Sequence, residues 1–213
     1  MNREARGTVN PPDSVHLEYP FAGHWLVQNS PADRVPSHGT RLFATSHSID
    51  FTPVDRNGRF APMTLASLFL PEPPERFVGF GRAVTAPLSG VVRAVHDGEP
   101  DHAAFRGFPS VGYAATQAKR VREGWLGLAG NHVIIERDGV FVALCHLRRG
   151  SVCVRPGQLV ECGEVVAGCG NSGNSTEPHV HVQAMDSADP QRASAVSILF
   201  PGGLPRNGIV VSA

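Results

Sequence analysis

Hydrophobic and polar residues alternate strictly along His179-Val180-His181-Val182-Gln183, a period of two that predicts a half-buried strand. In such a strand Val180 and Val182 face a core, while both imidazoles project from the opposite side and converge on one spot. Before it runs Gly168-Cys169-Gly170-Asn171-Ser172-Gly173-Asn174-Ser175-Thr176-Glu177-Pro178, a series of turn formers that predicts a tight polar loop beside the two histidines.

Upstream, β-rich runs are punctuated by turn signals. Residues 83–87 and 89–95 are two such runs, the second ending at Asp97-Gly98. Residues 132–137 and 140–147 flank Asp138-Gly139, a strong hairpin signal. Shorter runs at 151–154, 158–160 and 164–168 lead to the histidine strand, and residues 40–44 and 48–51 predict two more short strands. Alternation through 140–147 sets His146 on the face of Leu144, Val142 and Val140, with Cys145 on the other face beside Phe141 and Ala143. On that pattern His146 and Cys145 do not form a nucleophile pair.

Three stretches lack the period. Residues 1–36 are rich in Pro, Asn and polar side chains and predict an N-terminal arm packed on a body that spans 37–190. Residues 52–75 form a proline-containing connection with one helical turn near Met63 to Phe69. Residues 99–129 predict a long insertion over one end of the sheet, with a short helix around 114–122, and such loops often shape a binding groove. Residues 191–213 are left as a C-terminal tail.

Composition sharpens this picture in a few respects. The chain has 213 residues, enough to bury one substantial core, and its 23 glycines and 18 prolines favour many short elements joined by turns. The expected fold is all-β, an antiparallel β-sheet sandwich with long loops. Charged residues make up 18% and the formal net charge is zero, so nothing argues for nucleic acid or an anionic membrane as partner. No stretch approaches the roughly 20 apolar residues of a membrane span, and the first residues hold no apolar core of a secretory signal. Nothing in the sequence as written directs export; a cell-wall or extracellular location needs another route. Cys145, Cys153, Cys162 and Cys169 have no CxxC pairing, which gives a structural zinc site little support. They are expected as small buried apolar residues, with disulfides open only in an oxidising compartment.

The stretch from His146 to His181, HLRRGSVCVRPGQLVECGEVVAGCGNSGNSTEPHVH, and above all its end GNSGNSTEPHVHVQ, resembles the lysostaphin/LytM-type zinc metallopeptidases, peptidase family M23. The resemblance covers about residues 81–95 and 130–185, extends to 38–51, and implies an M23-like β scaffold. In that family a histidine and an aspartate of an upstream motif, with the second histidine of HxH, hold a zinc ion, and two further histidines assist catalysis. Carried over, His181 and Asp50 become metal ligands, and His146 and His179 become catalytic.

The first ligand is where the sequence departs from the family. The usual HxxxD keeps both side chains on one face of a strand, whereas His47 stands three residues before Asp50 and would face away. His38, in Pro36-Ser37-His38-Gly39-Thr40, resembles the family variant in which a His-Gly loop precedes an Ile-Asp-Phe strand and is the preferred ligand, with His47 a neighbour of the site unless a β-bulge before Asp50 turns it inward. Glu177 is expected in a loop role, Ser172 and Ser175 as local hydrogen-bonding residues, and His16, His24, His96, His102 and His132 as satisfied or solvated side chains.

Two imidazoles, one carboxylate and an open position suit a tetrahedral Zn2+ site that retains a water. The resemblance implies a metalloendopeptidase acting on peptide substrates, the cross-bridges or stem peptides of bacterial peptidoglycan. The alternative is a catalytically silent relative that binds peptidoglycan or regulates a hydrolase.

Overall fold

A computed structural model describes residues 13–213. The strands in chain order are β1 (Ser14–His16), β2 (His24–Gln28), β3 (Ile49–Pro53), β4 (Ala83–Thr85) and β5 (Gly90–His96). Three short helices follow, α1 (Phe108–Ala115), α2 (Gln117–Arg122) and α3 (Gly124–Ala129). Next come β6 (Asn131–Arg137), β7 (Val140–Leu147), β8 (Leu159–Val160), β9 (Val165–Gly168), β10 (Val180–Met185), β11 (Ala195–Leu199) and β12 (Val210–Ser212).

Ten strands form one sheet, whose main path is β12-β2-β3-β10-β7-β6-β5-β8, with β11 joined to β10 and β1 to β11. Pairing is antiparallel except between β1 and β11. The remaining strands, β4 and β9, pair as a small second sheet. Its Val84, Val166 and Ala167 share a core with Val133, Val142, Leu144 and Val182, so it covers the back of the large sheet as an unequal sandwich. The aromatic end of this core stacks Phe21 on Trp25 at 4.2 Å and Tyr19 on Phe200 at 4.8 Å between ring centroids.

Several expectations change. The segment expected as an arm supplies β1 and β2, and the expected tail supplies β11 and β12, because Trp25 and Val27 alternate into the core and need ladder partners. Residues 1–12 of that arm lie outside the described residues. Residues 40–44 are not a strand: residues 42–47 form a 3-10 turn with Phe43 at φ 55° and Ala44 at φ 61°. Its Ala44 packs with Ala129, Cys145 and Met185 on the front of the sheet. Residues 151–154 carry no strand either, since Arg148 and Ser151 close a turn there and Cys153 N–H makes a lone bond to Val166 O. The insertion holds three helices rather than one. The hairpin at Asp138-Gly139 forms with both residues at positive φ, 52° and 80°, the backbone its sequence demands.

All four cysteines are free. Cys145 and Cys169 are buried as expected, but Cys153 and Cys162 are exposed because they sit in loop segments rather than in strands with an inward face.

Candidate metal centre

Register sets the site. Paired positions in adjacent strands share a face, and a continuous row runs Gln28, Asp50, His181, Cys145, His132 and His96 across β2, β3, β10, β7, β6 and β5. It lies on the front of the sheet, opposite the valine core.

Asp50 is the hub of this row. Its Oδ2 lies 2.9 Å from His38 Nε2, and its Oδ1 lies 2.9 Å from His181 Nδ1. The candidate ligand atoms of His38, Asp50 and His181 all fall within 4.8 Å of one another. His47 does not join them: its Nδ1 bonds Ser197 Oγ at 2.8 Å. His38 arrives from the loop before the 3-10 turn.

The outer hydrogen bonds fix which imidazole nitrogen carries the proton. Ser48 Oγ donates to Thr45 O at 2.7 Å and so accepts from His38 Nδ1–H at 2.8 Å. Gln183 Nε2 donates to Phe43 O at 2.9 Å, which leaves Oε1 to accept from His181 Nε2–H at 2.9 Å. Both inner nitrogens therefore present lone pairs to an anionic carboxylate. Lone pairs at this separation repel unless a cation lies between them, so the donor set fits a divalent metal of the zinc type. Asn29, at φ 49°, adds a hydrogen bond from Nδ2 to Asp50 Oδ2 at 2.7 Å.

His179 and His146 stand beside the cluster. His179 Nδ1–H points to Glu177 O at 2.8 Å, with Ser175 Oγ at 2.9 Å, and its Nε2 lies 3.9 Å from Asp50 Oδ1. His146 Nδ1–H donates to Ser172 O at 2.9 Å, so its Nε2 is also bare. The two rings are 4.6 Å apart. Burial, then the neighbouring His179 and His181, pushes His146 well below the ordinary histidine value.

Strict alternation fails at His146, which corrects the predicted face. On β6, His132 pairs with Cys145 and Asn131 with Leu147, so His146 is the extra residue of a β-bulge, at φ 63°. Cys145 and His146 both line the groove, while Leu144 and Leu147 face the core. Cys145 remains unsuited to nucleophilic attack, because burial pushes its thiol far up.

The loop that anchors His146 needs its glycines. A Cβ on Gly130 would sit 2.6 Å from Gly173 N, and Gly173, at φ 71°, approaches the Gly130 backbone as closely in return. This contact seats Ser172, whose Oγ bonds Leu147 O at 2.9 Å and accepts Asn131 N–H at 3.0 Å.

The cluster lies in a groove of about 540 Å³. Tyr113, Trp125 and Leu128 from the helical insertion line it, as do Gln28, Asn29 and Glu177. The sequence reading missed Asn29, Gln183 and the insertion aromatics. Only Gln183 carried a signal, as the next residue on the histidine face of its strand.

A His–Asp–His cluster on the front of an antiparallel sheet, with two further histidines beside it, defines the class as a candidate metal-dependent β protein. In sequence, residues 101–193 match the family model described as Peptidase family M23. The match takes in the helical insertion, which lies outside the stretches that carry the resemblance.

Among solved structures, the chain is similar to the catalytic domain of a variant of the prophage-encoded M23 protein EnpA from Enterococcus faecalis. That similarity has 18% identity and a TM-score of 0.41, over 71% of this chain and 75% of that one. It is also similar to the catalytic domain of the antimicrobial peptidase lysostaphin from Staphylococcus simulans, at 18% identity and a TM-score of 0.40 over 73% and 80%. A zinc-containing peptidase from Vibrio cholerae matches at 19% identity and a TM-score of 0.35 over 70% and 45%.

Proposed function

We propose that the chain is a zinc-dependent metalloendopeptidase, with His38, Asp50 and His181 holding the ion and His146 and His179 serving catalysis. The observation that carries this reading is the pair of imidazoles whose protons are tied outward, so that two nitrogen lone pairs and a carboxylate meet at 2.9 Å. Zinc held there supplies Lewis acidity, lowering the pKa of a water to about 7 and polarising a carbonyl.

The protein's own groups do the rest. His146, kept neutral by burial, accepts a proton at Nε2 from the attacking water. His179, whose ring lies 4.6 Å from that of His146 and whose bare Nε2 is 3.9 Å from Asp50 Oδ1, passes the proton taken from the water on to the leaving amine. Ser172 O and Glu177 O hold the two rings through Nδ1–H, so neither turns as the proton moves. The groove between the insertion and β2 takes an extended peptide.

The match of residues 101–193 to the model described as Peptidase family M23 supports peptidoglycan cross-bridges or stem peptides as the substrate class. No helix among the described residues is long and apolar enough to cross a membrane. The test is to incubate the zinc-loaded chain with purified peptidoglycan and quantify newly released amino termini. Release that disappears with a chelator and in His179→Ala is expected; binding to peptidoglycan with no new amino termini identifies a silent binder instead.

A further inference from the structure

The loop that orients His146 is fastened by the helical insertion. His146 Nδ1–H rests on Ser172 O at 2.9 Å, and the peptide that follows, between Gly173 and Asn174, is gripped at both ends. Asn174 N–H donates to Leu128 O at 2.9 Å, while Gly173 O faces Tyr113 of α1 and His102. Gly173, packed against the Gly130 backbone, joins the two peptides, so the direction of one carbonyl sets that of the other.

A proton count at Gly173 O singles out Tyr113. His102 Nδ1 lies 2.8 Å from Ala103 O, an atom that only accepts, so the neutral ring carries its proton there. Its bare Nε2 then meets Gly173 O at 3.0 Å, two acceptors with their lone pairs facing. Tyr113 Oη lies 3.0 Å from Gly173 O and 3.3 Å from His102 Nε2, and its O–H is the proton between them. The phenol oxygen itself accepts the Ser175 N–H, and burial pushes its pKa up, so it stays a donor. The ring has little room to move. Phe105 stacks on it at 4.5 Å between centroids, and the Arg120 guanidinium lies 3.8 Å from its centroid. Both neighbours are tied to the same loop, Phe105 N–H to Thr176 O at 2.7 Å and Arg120 Nε to Asn174 Oδ1 at 2.6 Å.

We propose that Tyr113 is a positioning residue for His146: its hydroxyl bridges Gly173 O and His102 Nε2, and through Gly173 it fixes the Ser172 carbonyl that keeps the His146 proton on Nδ1. This rests on the reading of His146 as the proton acceptor and extends that reading to the insertion. Without the Tyr113 proton the two acceptors part, and Ser172 O turns with Gly173.

The test compares the zinc-loaded full chain with Tyr113→Phe, which removes only the hydroxyl, and with Tyr113→Phe combined with His102→Gln, whose amide supplies a donor at the place of Nε2. Ring-nitrogen NMR of the histidines, without substrate, reads which nitrogen of His146 is protonated. The parent should show Nδ1–H alone, Tyr113→Phe a mixture of both tautomers, and the double variant a return to Nδ1–H. Release of amino termini from purified peptidoglycan should follow, with kcat about tenfold lower in Tyr113→Phe, KM within about twofold of the parent value, and kcat recovered in the double variant. A His146 tautomer that Tyr113→Phe leaves unchanged, a loss that His102→Gln does not restore, or a parent His102 with protons on both nitrogens overturns the proposal. A parent with the single tautomer and no release of amino termini sinks the peptidase reading and leaves the hold of Tyr113 on His146 standing.

Discussion

Asp50 and His181 face each other at a paired position of adjacent strands, with Oδ1 2.9 Å from Nδ1. The ladder between β3 and β10 therefore builds half of the candidate metal centre without any loop. Loop residues are needed only for His38.

Gln183 turns that geometry into a ligand, by holding the His181 proton on Nε2. Gln183→Leu should weaken zinc binding by about 10-fold to 100-fold, as removal of such outer partners does. Gln183→Glu, which keeps an acceptor, should restore most of it. Competition with a chromogenic chelator measures both, and an unchanged affinity in Gln183→Leu contradicts the role.

Cys145 lies in the groove yet should be inert. Alkylation of the native chain near pH 8 should modify Cys153 and Cys162, which are exposed, and spare Cys145 and Cys169. Cys145→Ala should retain hydrolysis. Loss of activity when only Cys145 is blocked contradicts the assignment of the chemistry to histidines.

The insertion is tied to the preceding connection by Arg106 and Glu72, which is 2% exposed. Arg106→Ala leaves that carboxylate with Arg76 alone, at 3.5 Å, and should cost about 2 kcal/mol. Urea unfolding reads the loss. Hydrogen exchange should localise it to the bonds between Glu72 and Ala104, and a variant as stable as the parent contradicts the tie.

His132 gives the fold an acid-sensitive point. It donates from Nδ1–H to Gly130 O at 2.8 Å and accepts from Trp125 Nε1–H at 3.3 Å, so only the neutral ring satisfies both neighbours. Burial lowers its pKa below the ordinary 6.5. The unfolded chain then takes up the proton first, so its contribution is complete above 6.5 and is lost as pH falls through the lower folded value. His132→Gln, which also donates and accepts, should flatten the fall in stability between about pH 7 and about pH 5. An unchanged slope contradicts this.

The sheet was largely legible in the sequence because period-two alternation and Asp-Gly turns are local signals. Val180 and Val182 go to the core and His179 and His181 to the front by that rule alone. His146 defeated it, since one extra residue in β7 reverses the face and only the partner strand reveals the mismatch. Residues 40–44 misled for a related reason: a β-like run folds as a turn because Ala44 packs against the front of the sheet. The choice of His38 beside Asp50 rested on two signals together, the three-residue step that turns His47 away in a strand and the family resemblance of a His-Gly loop before Ile49-Asp50-Phe51. Asn29 acts through a side-chain contact that no spacing encodes, whereas Gln183 stands in step with the two histidines on their face of the strand.

The most direct test is the zinc content of the purified chain beside His38→Ala and His47→Ala. The account predicts about one zinc per chain in the parent and in His47→Ala, and loss of the metal in His38→Ala. A parent that takes up no zinc on incubation with the metal, or a His38→Ala variant that keeps it, contradicts the account.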